Sequence, residues 1–182
     1  MFLEQELFRS RGLEPNPAFL LGIFLLVQFV AFGGALLFER IAALAGTKTA
    51  ILISLSIWSA LVIYAYAFFH TVKQAWLMSA VIGIVLGGSQ ALSRSLFSRM
   101  IPAGREASFF GLYEISERGT SWLGPLVFSM VVARTGSYRQ AILSLIVFFV
   151  LGMVILFFTK TDQAVHEAGN ALPEEVAARS SI

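Results

Sequence analysis

The chain has 182 residues, of which 57% are hydrophobic, 13% aromatic and only 13% charged, whereas a water-soluble domain carries about a quarter charged residues. With seventeen phenylalanines and a mean hydropathy of +0.79, there is too little polar surface to coat a soluble fold, and a lipid bilayer is the solvent that fits. The formal charge of +2 is small and scattered, which excludes a nucleic-acid footprint, and the absence of cysteine excludes disulfides, thiolate metal sites and cysteine nucleophiles.

A helix crossing the hydrocarbon layer needs about 20 mostly apolar residues. Residues 1–16 are too polar for that, holding Glu4, Glu6, Arg9, Arg11 and Glu14. They read as a leader or as the truncated end of an earlier helix, and with acidic groups and no apolar core they are not a signal peptide. The first span is expected from Pro17 to Phe38, with Gln28 inside it and the pair Glu39 and Arg40 closing it. The second runs from Thr49 to Phe69 between Lys48 and His70, and the third from Gln74 to Ser93, closed by Arg94 and Arg99. The fourth, Ala107 to Ala133, is unusual because it contains Glu114, Glu117 and Arg118 and becomes charge-free only at Gly119; its Gly124-Pro125 pair predicts a kink. The fifth runs from Gln140 to Thr159, and residues 161–182 read as a mobile polar tail rich in Ala and Glu. The expected fold class is therefore all-α, a polytopic transmembrane bundle of five spans within residues 17–160.

Five spans put the chain's ends on opposite sides. One side collects Arg40, Lys48, Arg94, Arg99, Arg105, Lys160 and Arg179, the other Arg9, Arg11, Lys73, Arg134 and Arg139. The arginine-dense loop from Arg94 to Arg105 assigns the first set to the cytoplasm, and with it the C-terminal tail.

In lipid, helices gain little from hydrophobicity against one another and associate through close packing of small residues. Ser79, Gly83, Gly87, Ala91 and Ser95 recur every four residues on the third span, a stripe that serves either packing alone or sliding during a conformational change. On the fourth span, a turn of 100° per residue brings Phe110, Glu114, Glu117, Arg118, Ser121 and Pro125 into one sector. A charge at the bilayer centre costs about 2.5–3.5 kcal/mol on insertion scales, so these groups sit near an interface or face protein or water. Glu114 and Arg118 have the acid-first spacing of an intrahelical pair. Three roles stay open for them: an ion-pair network that is structural or gating, snorkelling to the interface, and direct contact with a solute or proton. Gln90, beside Ser89, is either an interhelical hydrogen-bonding group or a solute contact. His70 and His166 have no second ligand at metal spacing, and no phosphate loop, nucleophile triad or paired catalytic carboxylates occur, so neither metal, cofactor nor enzymatic chemistry is expected.

The run Gly87-Gly88-Ser89-Gln90-Ala91-Leu92-Ser93-Arg94-Ser95, followed by Ile101-Pro102, Arg105-Glu106-Ala107, Phe109-Phe110-Gly111-Leu112-Tyr113-Glu114 and Gly119-Thr120-Ser121-Trp122-Leu123-Gly124-Pro125, resembles the vacuolar amino-acid effluxer-like, autophagy-related branch of the major facilitator superfamily. The resemblance covers most of residues 20–160. It implies that the five spans correspond to the last five helices of a twelve-helix transporter, with the tail in the cytoplasm and, in a prokaryote, in the inner membrane. The loop after the first span resembles the superfamily's cytoplasmic signature in degraded form: Gly46 and Lys48 are kept, Glu39, with Arg40 next to it, stands at the first glycine, Ala43 at the aspartate and Leu44 at the arginine. The resemblance further implies alternating-access secondary transport of a small solute, which in fungal relatives is an amino acid leaving the vacuole. Such transporters bind their solute between two six-helix halves, so the expected partners are the bilayer, the solute, and a missing N-terminal half or second subunit, without which the chain is inactive. The alternative is a small integral-membrane scaffold that self-associates through the Ser79 to Ser95 stripe.

Overall fold

The computed structural model describes residues 17–68 and 71–169. The expected leader at 1–16, His70, and the 170–182 part of the expected tail lie outside those residues. Among the described residues the structure is helical throughout, in the order α1 (Pro17–Ala45), α2 (Thr47–Phe68), α3 (Val72–Arg99), α4 (Glu106–Thr120), α5 (Leu123–Thr135), α6 (Tyr138–Ser144), α7 (Ile146–Phe158) and α8 (Thr161–Glu167).

Four segments are long and apolar enough to cross a membrane: α1, α2, the Lys73–Arg99 part of α3, and the joined α6 and α7 over Tyr138–Phe158. α1 and α3 overrun the lengths expected for them at the end where the charges lie. Charged residues are acceptable in a helix once it has left the hydrocarbon, so a charge marks the membrane boundary and not the helix boundary. α1 stops where Gly46 takes a left-handed backbone, φ 85°, its N–H bonding back to the Ala42 carbonyl at 2.9 Å while its own carbonyl accepts from Ala50 N–H at 3.0 Å. A glycine takes this conformation without a Cβ clash, and one residue suffices to reverse the chain into α2. α3 starts at Val72, earlier than expected, because Thr71 and Gln74 form a capping box: Gln74 N–H donates to Thr71 Oγ1 at 3.3 Å and Thr71 N–H to Gln74 Oε1 at 2.9 Å.

The fourth expected span is an interrupted helix, its two parts linked by Ser121 and Trp122 in right-handed helical conformation. α4 ends at Thr120 and α5 begins at Leu123. Pro125 has no N–H for the Ser121 carbonyl and its ring crowds that carbonyl, so the interruption falls at Ser121-Trp122, one turn before the Gly124-Pro125 pair that signals a kink in the sequence. The stretch read as a tail also differs from expectation at its start. Residues 161–167 form α8, with Thr161 and Val165 buried.

The core lies between α1, α2 and α3, where Phe38, Ala42, Ala50, Ile51, Leu92 and Leu96 are buried together. The most extensive interface joins α1 to α3 and depends on glycine. A Cβ on Gly34 would run into the Ile84 backbone, one on Gly87 into the Ala31 carbonyl, one on Gly88 into the Phe38 ring, and one on Gly83 would stand 2.8 Å from the Val27 carbonyl. α7 lies on α2, with Trp58 and Phe149 stacked at 5.5 Å between centroids. At the end bearing Arg40, Arg99 and Lys160, Lys48 Nζ donates to the carbonyls of Phe157, at 3.0 Å, and Thr159, at 2.7 Å, so a cation closes the C-terminal end of α7. Apolar groups elsewhere face outward, Phe29 and Phe32 being 77% and 73% exposed, as lipid solvation requires.

Replacing Gly87 by leucine should destabilise the bundle by at least about 1–3 kcal/mol, the usual cost of overpacking, measured by thermal unfolding in detergent. Gly33→Ala, where a Cβ meets nothing within 4 Å, should leave the midpoint unchanged.

Candidate functional site

The loop that joins α3 to α4 sets the site's geometry. Ile101 is buried, anchoring the turn, Arg105 N–H returns to the Pro102 carbonyl at 3.2 Å, and Gly104 N–H donates to Glu106 Oε1 at 3.0 Å. The Gly104 N–H and Glu106's own backbone N–H hold the exposed Glu106 carboxyl, which lies before the apolar part of this segment, below its ordinary pKa. The Arg105 guanidinium covers the Phe109 ring at 5.4 Å.

Thus started, α4 comes back along α3 by an aromatic contact: the Phe97 ring meets Phe110 at 5.6 Å and Tyr113 at 4.8 Å. Arg94 is one turn before Phe97 and Glu114 and Glu117 follow Tyr113, so the same contact carries the charges into register. Arg94 Nη2 stands 3.7 Å from both Glu114 Oε1 and Glu117 Oε2, and Arg118 Nε donates to Glu114 Oε2 at 3.4 Å. Glu114 therefore bridges two arginines on two helices. The four groups cancel in charge, and each Arg–Glu approach is about half exposed or more, so single pairs are worth roughly 0.2–1 kcal/mol in water. A network with such small increments can be remade cheaply, which suits a contact that opens and closes.

Gln90 lies exposed on α3 one turn from Arg94, and Gln28 is exposed on α1. Of the small stripe, Gly83 and Gly87 face α1 backbone, Ser79 is buried, and Ala91 and Ser95 line a cavity of about 330 Å³ between α1 and α3. Gly88, outside the stripe, approaches α1 as closely as its members. Glu39 and Arg40 are exposed near the end of α1, with Glu39 lining that cavity together with Arg99. Gly46 makes the turn and Lys48 closes α7, so these two residues have structural duties visible in this chain. His166 is exposed on α8, and among the described residues no cluster of His, Asp and Glu could hold a metal ion. The aromatic contact of Phe97 with Phe110 and Tyr113 is a site feature that the sequence does not announce. Its only trace there is the helical spacing of two rings three residues apart on α4.

The chain matches the family described as vacuole effluxer Atg22 like over residues 4–169. It is similar to the uncharacterized MFS-type transporter YxiO of Bacillus subtilis, 34% identical over 156 residues, which is 85% of this chain and 36% of that protein. Autophagy-related protein 22 of Yarrowia lipolytica is 31% identical over 173 residues, 89% of this chain and 29% of its own length, and that of Kluyveromyces lactis 33% over 95 residues, 52% and 19%. The chain thus spans little more than a third of these relatives at most. No solved structure matches it.

A double-mutant cycle on Arg94→Gln and Glu117→Gln, read by thermal unfolding in detergent, should give a coupling of about 0.2–1 kcal/mol. A coupling of zero would mean that the pair does not form. Glu106, with its lowered pKa, stabilises the start of α4 above the ordinary carboxylate range and loses that effect as pH falls through the lowered value. Hydrogen exchange at Gly104, corrected for intrinsic pH dependence, should accelerate in that acidic window.

Proposed function

Because the chain belongs to the Atg22-like vacuole effluxer family of major facilitator transporters, we propose that it supplies the last spans of an alternating-access transporter, in which α1, α2, α3, the interrupted α4–α5 and the joined α6–α7 stand for the final five helices of twelve. The solute is a small molecule, and the amino-acid class is favoured by analogy with the family description alone. Transport then requires the remaining helices, from the same gene or from a second subunit, because the solute path runs between halves. The end that gathers Arg40, Lys48, Arg94, Arg99, Arg105 and Lys160 faces the cytoplasm by the positive-inside rule, which puts α8 there too.

The observation that carries the mechanism is the triad of Arg94 with Glu114 and Glu117 across α3 and α4. α4 is tied to α3 at this triad and at the aromatic contact beside it, while α5, beyond the interruption, packs on α6. The interruption therefore separates two differently anchored halves, and making or breaking the charge network swings α4 without dragging α5. On this reading Gln90, one turn from Arg94 on α3, is the group that meets the solute when the network opens. The scaffold alternative has less support, since Gly83 and Gly87 of its proposed docking stripe are already occupied by α1.

The test is flux of labelled amino acids into membrane vesicles from cells carrying the gene in its own genomic setting. Glu114→Gln should lower flux at least about fivefold at equal membrane abundance, the lower end of ordinary coupling energies. Because Glu114 touches both Arg94 and Arg118, exchanging it with Arg118 alone would set two arginines together. Reversing all four charges at 94, 114, 117 and 118 should restore more flux than Glu114→Arg by itself. Unchanged flux in Glu114→Gln removes the gating role, and no difference from a deletion strain removes amino-acid transport.

A further inference from the structure

The segment that follows the last span has a seat of its own. Thr159 leaves α7 with an extended backbone, φ −72° and ψ 127°, and after Lys160 the chain turns helical again for the seven residues of α8. A polar segment without a seat is exposed on every side, yet Thr161 and Val165 are only 2% and 1% exposed, while Asp162, Gln163, His166 and Glu167 face outward. Their spacing of four puts the two buried residues on one face of the helix. Thr161 and Val165 border a narrow gap together with Ala42, Gly46 and Thr47 from the end of α1 and its turn, and Leu96 from α3. None of the described residues lining that gap belongs to α4. A second attachment lies just upstream. Lys48, in the first turn of α2, donates to the carbonyls of Phe157 and Thr159 at 3.0 and 2.7 Å, where the end of a helix leaves carbonyls without intrahelical partners. Lys160 alone stands between Thr159 and the first buried residue of α8.

We propose that residues 157–167 form a strap, anchored by Lys48 at one end and by Val165 at the other. The strap ties α7 to the α1–α2 turn and to α3, so that the charged end of these four helices moves as one body and α4 is left outside it. The basis is two anchors of different chemistry on one short segment: a pair of charge-assisted hydrogen bonds and a buried apolar side chain. Each anchor limits the freedom left to the other, so whatever loosens one loosens the other by the same factor. A helix as short as α8 does not hold together in water without such a seat, and its order therefore reports whether the strap is fastened. The device belongs to the fold and is independent of whether the protein transports anything.

The experiment is hydrogen exchange, read by mass spectrometry on the full chain in detergent micelles. In the unaltered protein Ala164 N–H, on the Lys160 carbonyl at 3.2 Å, and Ala168 N–H, on the Ala164 carbonyl at 3.1 Å, should be protected at least about tenfold. Lys48→Met removes bonds to Phe157 and Thr159, outside α8. It should nevertheless speed exchange within α8 about tenfold, the least expected from losing charge-assisted bonds of this kind, and Lys48→Arg should keep most of the protection. Val165→Asp should have an effect of the same order on Thr159 N–H, which bonds to the Ile155 carbonyl at 3.0 Å. Where Val165→Asp also speeds exchange in the glycine-packed part of α3, the bundle itself has loosened, and Val165→Ala takes its place. Glu167→Gln, on the exposed face, should alter none of these rates. Because the chain has no cysteine, spin labels at Leu44→Cys and Gln163→Cys report only the distance between the end of α1 and α8; one narrow distribution is expected, broadened by Lys48→Met. Unprotected α8 amides or a broad distribution in the otherwise unaltered chain overturns the strap. So does exchange that each variant speeds only at its own anchor, because the two contacts would then be separate, and so does an equal effect of Glu167→Gln.

Discussion

Everything in this bundle depends on how closely α1 can approach α3. Inside a bilayer no water is released when two apolar helices meet, so their attraction comes from dispersion between surfaces that fit. Dispersion falls off over a fraction of an ångström, and only glycine lets two backbones come near enough. Gly34 on one helix and Gly83, Gly87 and Gly88 on the other are placed along that line. The contact fixes the relative height of the two helices. Through that it sets where Arg94 and Arg99 stand against the end of α1.

Charge placement follows from the same geometry. The helices emerge from the hydrocarbon with a turn or more to spare, and the extra length carries the ionisable groups into the headgroup layer. There they meet one another instead of lipid tails: Lys48 meets carbonyl oxygens of α7 and its terminus, Arg94 meets two glutamates. A fully buried version of this network would cost several kcal/mol per ion in desolvation. At half exposure it costs little and holds little.

The architecture is legible in the sequence where composition alone decides it. Long charge-free runs define α1, α2, α3 and the joined α6 and α7, since twenty apolar residues have no alternative to spanning. Ends are less legible, because the capping box of Thr71 and Gln74 and the left-handed Gly46 act through local hydrogen bonds and backbone freedom that hydropathy ignores. Pro125 announces a kink, and the interruption between α4 and α5 lies at Ser121-Trp122, where the backbone keeps right-handed helical dihedrals, since proline disturbs the carbonyl four residues before it. Of the site, the pairing of Glu114 with Arg118 is readable from its spacing along one helix. The approach of Arg94 to Glu114 and Glu117 is not, for it depends on how the α3–α4 turn and the Phe97 contact set two helices in register. Lys48 stands out in the sequence only as a fragment of a signature, and its bond to α7 cannot be foreseen from a loop more than a hundred residues away.

That bond has a bearing on how the protein is made. Lys48 and the α7 carbonyl at Phe157 are separated by 109 residues, so the lysine is synthesised and inserted long before its partner exists. Contacts of high sequence separation form late, and until then water, not α7, holds the Lys48 ammonium group at the α1–α2 turn. Final closure of the bundle at this end therefore waits for the last span to leave the translocation machinery. The end of α7 at Phe157 and Thr159 thus completes this contact in time as well as in space, and a nascent chain arrested before it would leave the bundle open at this end.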